Sequence, residues 1–275
     1  MSQKHIFLYI CTFLVCNLLS AQQKTTQKKP ITIGESVRFQ SKILNQERTL
    51  NIYLPESYSK ETTKNYPVIY LLDGSMDEDF IHIVGLVQFG SFSWINMLPE
   101  SIVVGISNID RKHDFTYPTN NKKDKKDFPT TGGSEKFIQS LEKEIQPLIT
   151  KNYRITDSKT LIGQSLGGLV ATEILFKKPA LFDNYIIVSP SLWWDDESLL
   201  KLNLVPFKQQ KSIYIAVGKE GPTMERVAKE LYYKLNVEGE KSYTLHFKFL
   251  EAQDHGDTLH LAVYNAFEVL FKQKK

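Results

Sequence analysis

The sequence predicts an α/β fold, in which an N-terminal antiparallel hairpin leads into a mainly parallel, doubly wound sheet with helices on both faces. Three observations carry that expectation. The stretches Glu35 to Leu44 and Glu47 to Leu54 alternate apolar with polar residues around Asn45-Gln46, which is the period of half-buried antiparallel strands. Short, continuously apolar runs then recur with room for a helix between them, as parallel strands covered on both sides do. One of these runs enters a helix-like segment through Gly163-Gln164-Ser165-Leu166-Gly167-Gly168, the punctuation of a tight strand-to-helix turn.

Taken in order, Lys4 and His5 precede an apolar run from Ile6 to Leu19, and Ser20-Ala21 places small residues before the polar Gln22. Residues 1–21 therefore read as a secretory signal peptide, cleaved after Ala21, and the mature chain is expected in the periplasm or outside the cell. The apolar run is short for a membrane span and no later segment approaches the required length, so no stable membrane insertion of the mature chain is expected. Cys16 follows Val15, not the small residue of a lipoprotein signal. The two cysteines, Cys11 and Cys16, both fall in this segment, leaving the exported chain without a thiol or disulfide.

A polar leader, residues 22–30, precedes a single α/β domain, residues 31–275. After the hairpin, strands are expected at Pro67 to Leu72, Ser101 to Ser107, Lys159 to Ile162, Tyr185 to Val188, Ser212 to Val217 and Ser242 to Leu250. Helices are expected at Asp77 to Leu98, from Ser134 to Thr150 after Gly132-Gly133, and from Leu169 until Lys178-Pro179 stops the pattern. Two more follow at Thr223 to Leu235 and Asp257 to Phe271, the last with Leu259, Ala262, Val263, Ala266, Phe267 and Leu270 at helical spacing.

With 275 residues, 41% of them hydrophobic, the chain can bury one large core, and no Pro/Gly/Ser-rich linker divides its middle. The net charge is only +3, and the densest basic run, Lys122-Lys123-Asp124-Lys125-Lys126-Asp127, is broken by acids. It reads as a solvated loop, and no basic, aromatic-studded face suggests a nucleic-acid partner. Nor is there a zinc-type ligand cluster or a phosphate-cradling glycine loop, so no metal or cofactor is expected.

G-x-S-x-G alone arises by chance in roughly one chain in ten of this length. Between a strand and a helix it gains meaning: the glycines remove side chains where backbones crowd, Ser165 can expose its hydroxyl, and the Leu166 amide at the helix start can bind a developing oxyanion. A serine nucleophile needs an imidazole to take its proton and a carboxylate to fix the imidazole's tautomer, and in this topology they follow in the order Ser, acid, His.

Of six histidines, His5 is in the leader, His82 and His260 fall in helical segments, His246 is in a strand, and His113 precedes the serine. His255, between the last strand and the last helix, remains. Glu220, at the carboxyl end of the strand Ser212 to Val217, is the leading acid, with Asp195 and Asp196 as rivals. Asp254 and Asp257 read as turn or cap residues. The loop Asp73-Gly74-Ser75-Met76 offers the Ser75 amide as a second oxyanion donor. Trp193 and Trp194 suit an aromatic wall or a packed pair, and Arg111 suits either an anionic substrate or a local ion pair with Asp114.

Several stretches together resemble one family: Tyr66-Pro67-Val68-Ile69-Tyr70-Leu71-Leu72-Asp73-Gly74, Asp110 to Thr116, the Ser165 turn, Ser189-Pro190-Ser191-Leu192-Trp193-Trp194, and Asp254-His255-Gly256-Asp257. They are similar to the putative esterases, which include enterochelin esterases, feruloyl esterases, esterase D and the mycolyltransferases of the antigen 85 complex, with the enterochelin esterase branch nearest. The resemblance implies an α/β-hydrolase fold, Ser165 as nucleophile, His255 as base and oxyanion amides at Leu166 and Ser75. It leaves the acid open, because some siderophore esterases resemble serine-histidine dyads. The expected function is an exported serine esterase working through an acyl-enzyme on a small-molecule or glycan ester. Acyl transfer to an alcohol, a glycan acyl or feruloyl esterase, and a periplasmic binding module that keeps the fold are the alternatives.

Overall fold

The computed structural model describes residues 28–207, 209–238 and 243–272; the expected signal peptide and residues 22–27 of the leader lie outside them. The chain divides between Thr32 and Ile33, and every element below belongs to the second unit. Eight strands form one sheet: β1 (Gly34–Ser41), β2 (Gln46–Tyr53), β3 (Tyr66–Leu71), β4 (Ile102–Ile106), β5 (Ile155–Gln164), β6 (Asn184–Val188), β7 (Lys211–Gly218) and β8 (Tyr243–Leu250). Their spatial order is β1-β2-β4-β3-β5-β6-β7-β8. β1 pairs antiparallel with β2, and β2 with β4; from β4 onward every pairing is parallel. This is the α/β-hydrolase arrangement the sequence predicts.

The apolar runs sort by alternation onto two faces. Val68, Tyr70, Leu161, Tyr185, Ile187, Ile213 and Ile215 pack on one side, beneath Phe137, Leu169 and Leu231. Ile69, Leu71, Ile162, Ile186, Val188 and Ala216 pack on the other, against Ile83, Val87, Leu259 and Val263. A strand covered twice has no polar face, so its alternation is hidden in the sequence and shows only once both layers are seen.

The layers are α1 (Phe80–Ser91), a helical stretch α2 built from Ser134–Ser140, the π-turn Leu141–Ile145 and Gln146–Asn152, then α3 (Leu166–Lys177), α4 (Pro222–Glu238) and α5 (Thr258–Leu270). α1 is shorter than expected. At Phe92 the backbone becomes extended, and the amides of Met97 and Leu98 both return to the Gly90 carbonyl; a Cβ on Gly90 would meet Leu98 at 2.3 Å. In α2 the widened turn directly precedes Gln146-Pro147, where proline cannot donate to the carbonyl four residues back.

Lys122–Asp127 is a short helix, not a solvated loop. Asn121 caps it by accepting from the Lys123 amide at 2.8 Å, and buried Asp124 accepts from the Asp195 amide. No helix among the described residues is long and apolar enough to cross a membrane.

Candidate active site

Ser165 is the hinge between β5 and α3. Its φ of 59° and ψ of −121° lie outside the regions that L residues favour, and its amide is held by the Val188 carbonyl at 3.1 Å. The turn is possible because a Cβ on Gly163 would meet the Gly167 carbonyl oxygen at 2.4 Å. At the first helical position, the Leu166 amide has no intrahelical acceptor.

The loops after β7 and β8 meet beside this turn. The Lys219 amide donates to the Gln253 carbonyl at 2.7 Å, and the Gln164 side chain, adjoining the serine, donates to the His255 carbonyl at 2.7 Å. Within this knot His255 Nδ1 lies 2.5 Å from Glu220 Oε2. The other carboxylate oxygen, Oε1, accepts from Ser189 Oγ at 2.5 Å and from the Gly218 amide at 2.9 Å, with Thr258 Oγ1 at 3.4 Å. The Glu220 side chain is 2% exposed. Burial opposes its ionisation, but the bonds from His255, Ser189 and Gly218 outweigh burial and hold its carboxyl below the usual range. With Nδ1 engaged, Nε2 is left as the proton acceptor.

Ser165, Glu220 and His255 thus line one cleft of about 670 Å³, together with Ser191, Trp193, Lys219, Met224 and Asp254. The Ser165 hydroxyl is 3.4 Å from Ser191 Oγ, its hydrogen-bond partner in this structure. Among the described residues no group of three or more His, Cys, Asp or Glu side chains is arranged to hold a metal.

The rival acids are elsewhere. Asp195 accepts from Thr119 Oγ1 and the Asn120 amide, and Asp196 from Asn121. Asp254 and Asp257 shape the histidine loop, with Asp254 accepting from the Gly256 amide and Asp257 from the Asp254 amide.

Three expectations are corrected. Arg111 does not pair with Asp114; its guanidinium grips Asp73 at 2.6 and 2.8 Å and donates to the Gln164 carbonyl at 3.3 Å. It therefore braces the loop after β3 against the Ser165 turn. Asp114 is taken by Arg48 at 2.6 Å, both side chains being 1% exposed. Trp194 is a core residue, 0% exposed, with its indole donating to the Tyr117 carbonyl at 2.9 Å; only Trp193 reaches the cleft. The Ser75 amide points to the Glu78 carboxylate at 3.3 Å and is not among the cleft lining.

Ser189 and Ser191 went unassigned by sequence reasoning, although they flank Pro190 just after β6, at the strand end next to Ser165. The available signal was that position. Hydroxyls there face either the serine or its acid.

A family profile described as "Putative esterase" matches residues 41–260. Among curated proteins, the chain is 30% identical over 256 residues to the ferri-bacillibactin esterase BesA of Bacillus subtilis, spanning 85% of this chain and 88% of that one. Among solved structures, the BES protein from Bacillus cereus superposes with a TM-score of 0.77 at 27% identity, covering 90% of this chain and 99% of the other. An IroE-like serine hydrolase from Shewanella oneidensis gives 0.76 at 29% identity, covering 87% and 80%.

Proposed function

Because the chain belongs to the putative esterase family, we propose that it is an exported serine esterase of siderophore esters, acting through an acyl-enzyme on Ser165. The observation that carries the reading is the convergence of a strained, turn-borne serine and a carboxylate-anchored imidazole in one cleft. In the first half-reaction Ser165 Oγ attacks the ester carbonyl and its proton passes to His255 Nε2. Glu220 keeps the other nitrogen protonated and stabilises the imidazolium. The Leu166 amide receives the oxyanion. The imidazolium then protonates the departing alkoxide, and water attacks the acyl-enzyme by the same route, releasing the acid.

In the structure Ser165 Oγ lies 3.4 Å from Ser191 Oγ, and the attack requires it to bond His255 Nε2 instead. The siderophore assignment draws on the names of the relatives, and export on the leader sequence. The test is hydrolysis of p-nitrophenyl butyrate by residues 22–275, with fluorophosphonate labelling. Ser165→Ala is expected to abolish labelling and to lower turnover by about four to six orders of magnitude; turnover within tenfold of the parent would reject the nucleophile.

A further inference from the structure

A cavity of about 490 Å³ opens at the end of the sheet opposite the Ser165 turn, between the start of β3, the approach to β4 and the close of antiparallel β2. The loop after α1 gives it an aromatic side. Phe92 lines the cavity, and Trp94 stacks on Phe92 with ring centroids 4.6 Å apart and planes inclined by 18°. Phe89 meets Phe92 edge-on at 6.3 Å. The indole of Trp94 is 75% exposed, so it adds little to the core, and an exposed aromatic cluster of this kind marks a contact site. The ledge is also preformed: the amides of Ile95 and Asn96 both return to the Phe92 carbonyl, at 2.9 and 2.7 Å, which lowers the ordering cost of binding.

The polar side of the cavity is uncharged in effect. Its two acids are matched by lysines, Glu100 by Lys64 at 2.6 Å and Glu56 by Lys60. The exposed side chains of Asn65, Gln88, Ser93 and Asn96 line the same cavity and have no hydrogen-bond partner among the described residues. Amides and a hydroxyl both donate and accept. An ionic ligand would find each counter-charge already engaged, whereas a neutral polyol finds donors and acceptors beside an aromatic face.

We propose that this cavity and its aromatic ledge bind an uncharged oligosaccharide of β-linked pyranoses whose hydroxyls are equatorial. Such a sugar turns flat C–H faces toward an aromatic ring and carries its hydroxyls around the rim, where the amides can meet them. Because the site lies at the far end of the sheet from Ser165, a bound glycan leaves the catalytic cleft open and tethers the protein to a polysaccharide surface. The inference stands independently of the esterase reading.

The experiment titrates residues 22–275 with cellohexaose and with chitohexaose by calorimetry, at about 20 and 300 mM NaCl. At least one should bind with a Kd of about 1 mM or tighter, and the added salt should leave the Kd unchanged because neither partner group is charged. Trp94→Ala should weaken binding at least tenfold and the double variant Asn65→Ala, Gln88→Ala severalfold, while turnover of p-nitrophenyl butyrate and the melting temperature stay at the parent values. Binding of neither sugar, or binding that Trp94→Ala leaves intact, would overturn the proposal. So would a Trp94-dependent self-association in sedimentation, or Trp94-dependent capture by phosphatidylethanolamine–phosphatidylglycerol vesicles, in place of sugar binding.

Discussion

Replacing Glu220 by glutamine is the sharpest test of the acid, because the hydrogen bonds around it dictate which way the new amide must face. The Gly218 amide can only donate, and it addresses the Oε1 side at 2.9 Å. The oxygen of the introduced side-chain amide must therefore stay there, which turns its NH₂ group toward His255 Nδ1. That nitrogen must then accept, so the imidazole proton moves to Nε2, the atom that takes the proton of Ser165 in the proposed mechanism. Turnover should fall about 10³- to 10⁴-fold, or about 4 to 5.5 kcal/mol of barrier, while stability near neutrality changes by about 1 kcal/mol or less. The assay is kcat and KM on p-nitrophenyl butyrate beside a thermal melt of each protein. A folded Glu220→Gln variant within tenfold of the parent would refute the tautomer argument and favour a serine-histidine dyad.

Acid titration gives a companion result. Glu220 is held below the usual carboxylate range because its hydrogen bonds outweigh its burial, so its ionised form stabilises the fold above that range. This contribution is lost as pH falls through the lowered value, and the stability gap between parent and Glu220→Gln should close in acid. Asp79 behaves oppositely. Burial, with Asp73 and Glu78 nearby, pushes its carboxyl up to about 6, so ionisation costs stability as pH rises from about 4 through 6. Asp79→Asn should therefore stabilise the protein at pH 8, by about 2 kcal/mol at most after allowance for solvent screening, and change nothing at pH 4; denaturant melts at both pH values decide it.

Asp114→Ala should cost about 3 to 5 kcal/mol by stranding buried Arg48, lowering the melting temperature by about 6 to 20 °C. The double variant Arg48→Met, Asp114→Leu should recover most of that loss in the same melt.

The succession of strands along the chain and the meeting of three strand-end loops were legible because each depends on a local signal: an apolar run, a Gly-flanked serine, a histidine between the last strand and helix. What escaped depends on partners distant in sequence. Arg111 has Asp114 three residues away, yet it closes on Asp73, 38 residues back, because the sheet brings the loops after β3 and β4 together. Trp193 and Trp194 are chemically identical neighbours, and only the turn they occupy sends one into the core and the other to the cleft. Asp124 looked like one solvated charge among six until the Asp195 amide claimed it.

Left-handed backbone angles recur at the carboxyl ends of three neighbouring strands, at Asp73, Ser165 and Ser189. Conformations that L residues resist persist only while the sheet beneath them is intact, so this centre has little freedom to loosen ahead of the scaffold. Heat inactivation should accordingly coincide with global melting, and mutational tailoring toward new esters would have to proceed through the flanking loops, leaving the three kinked positions alone.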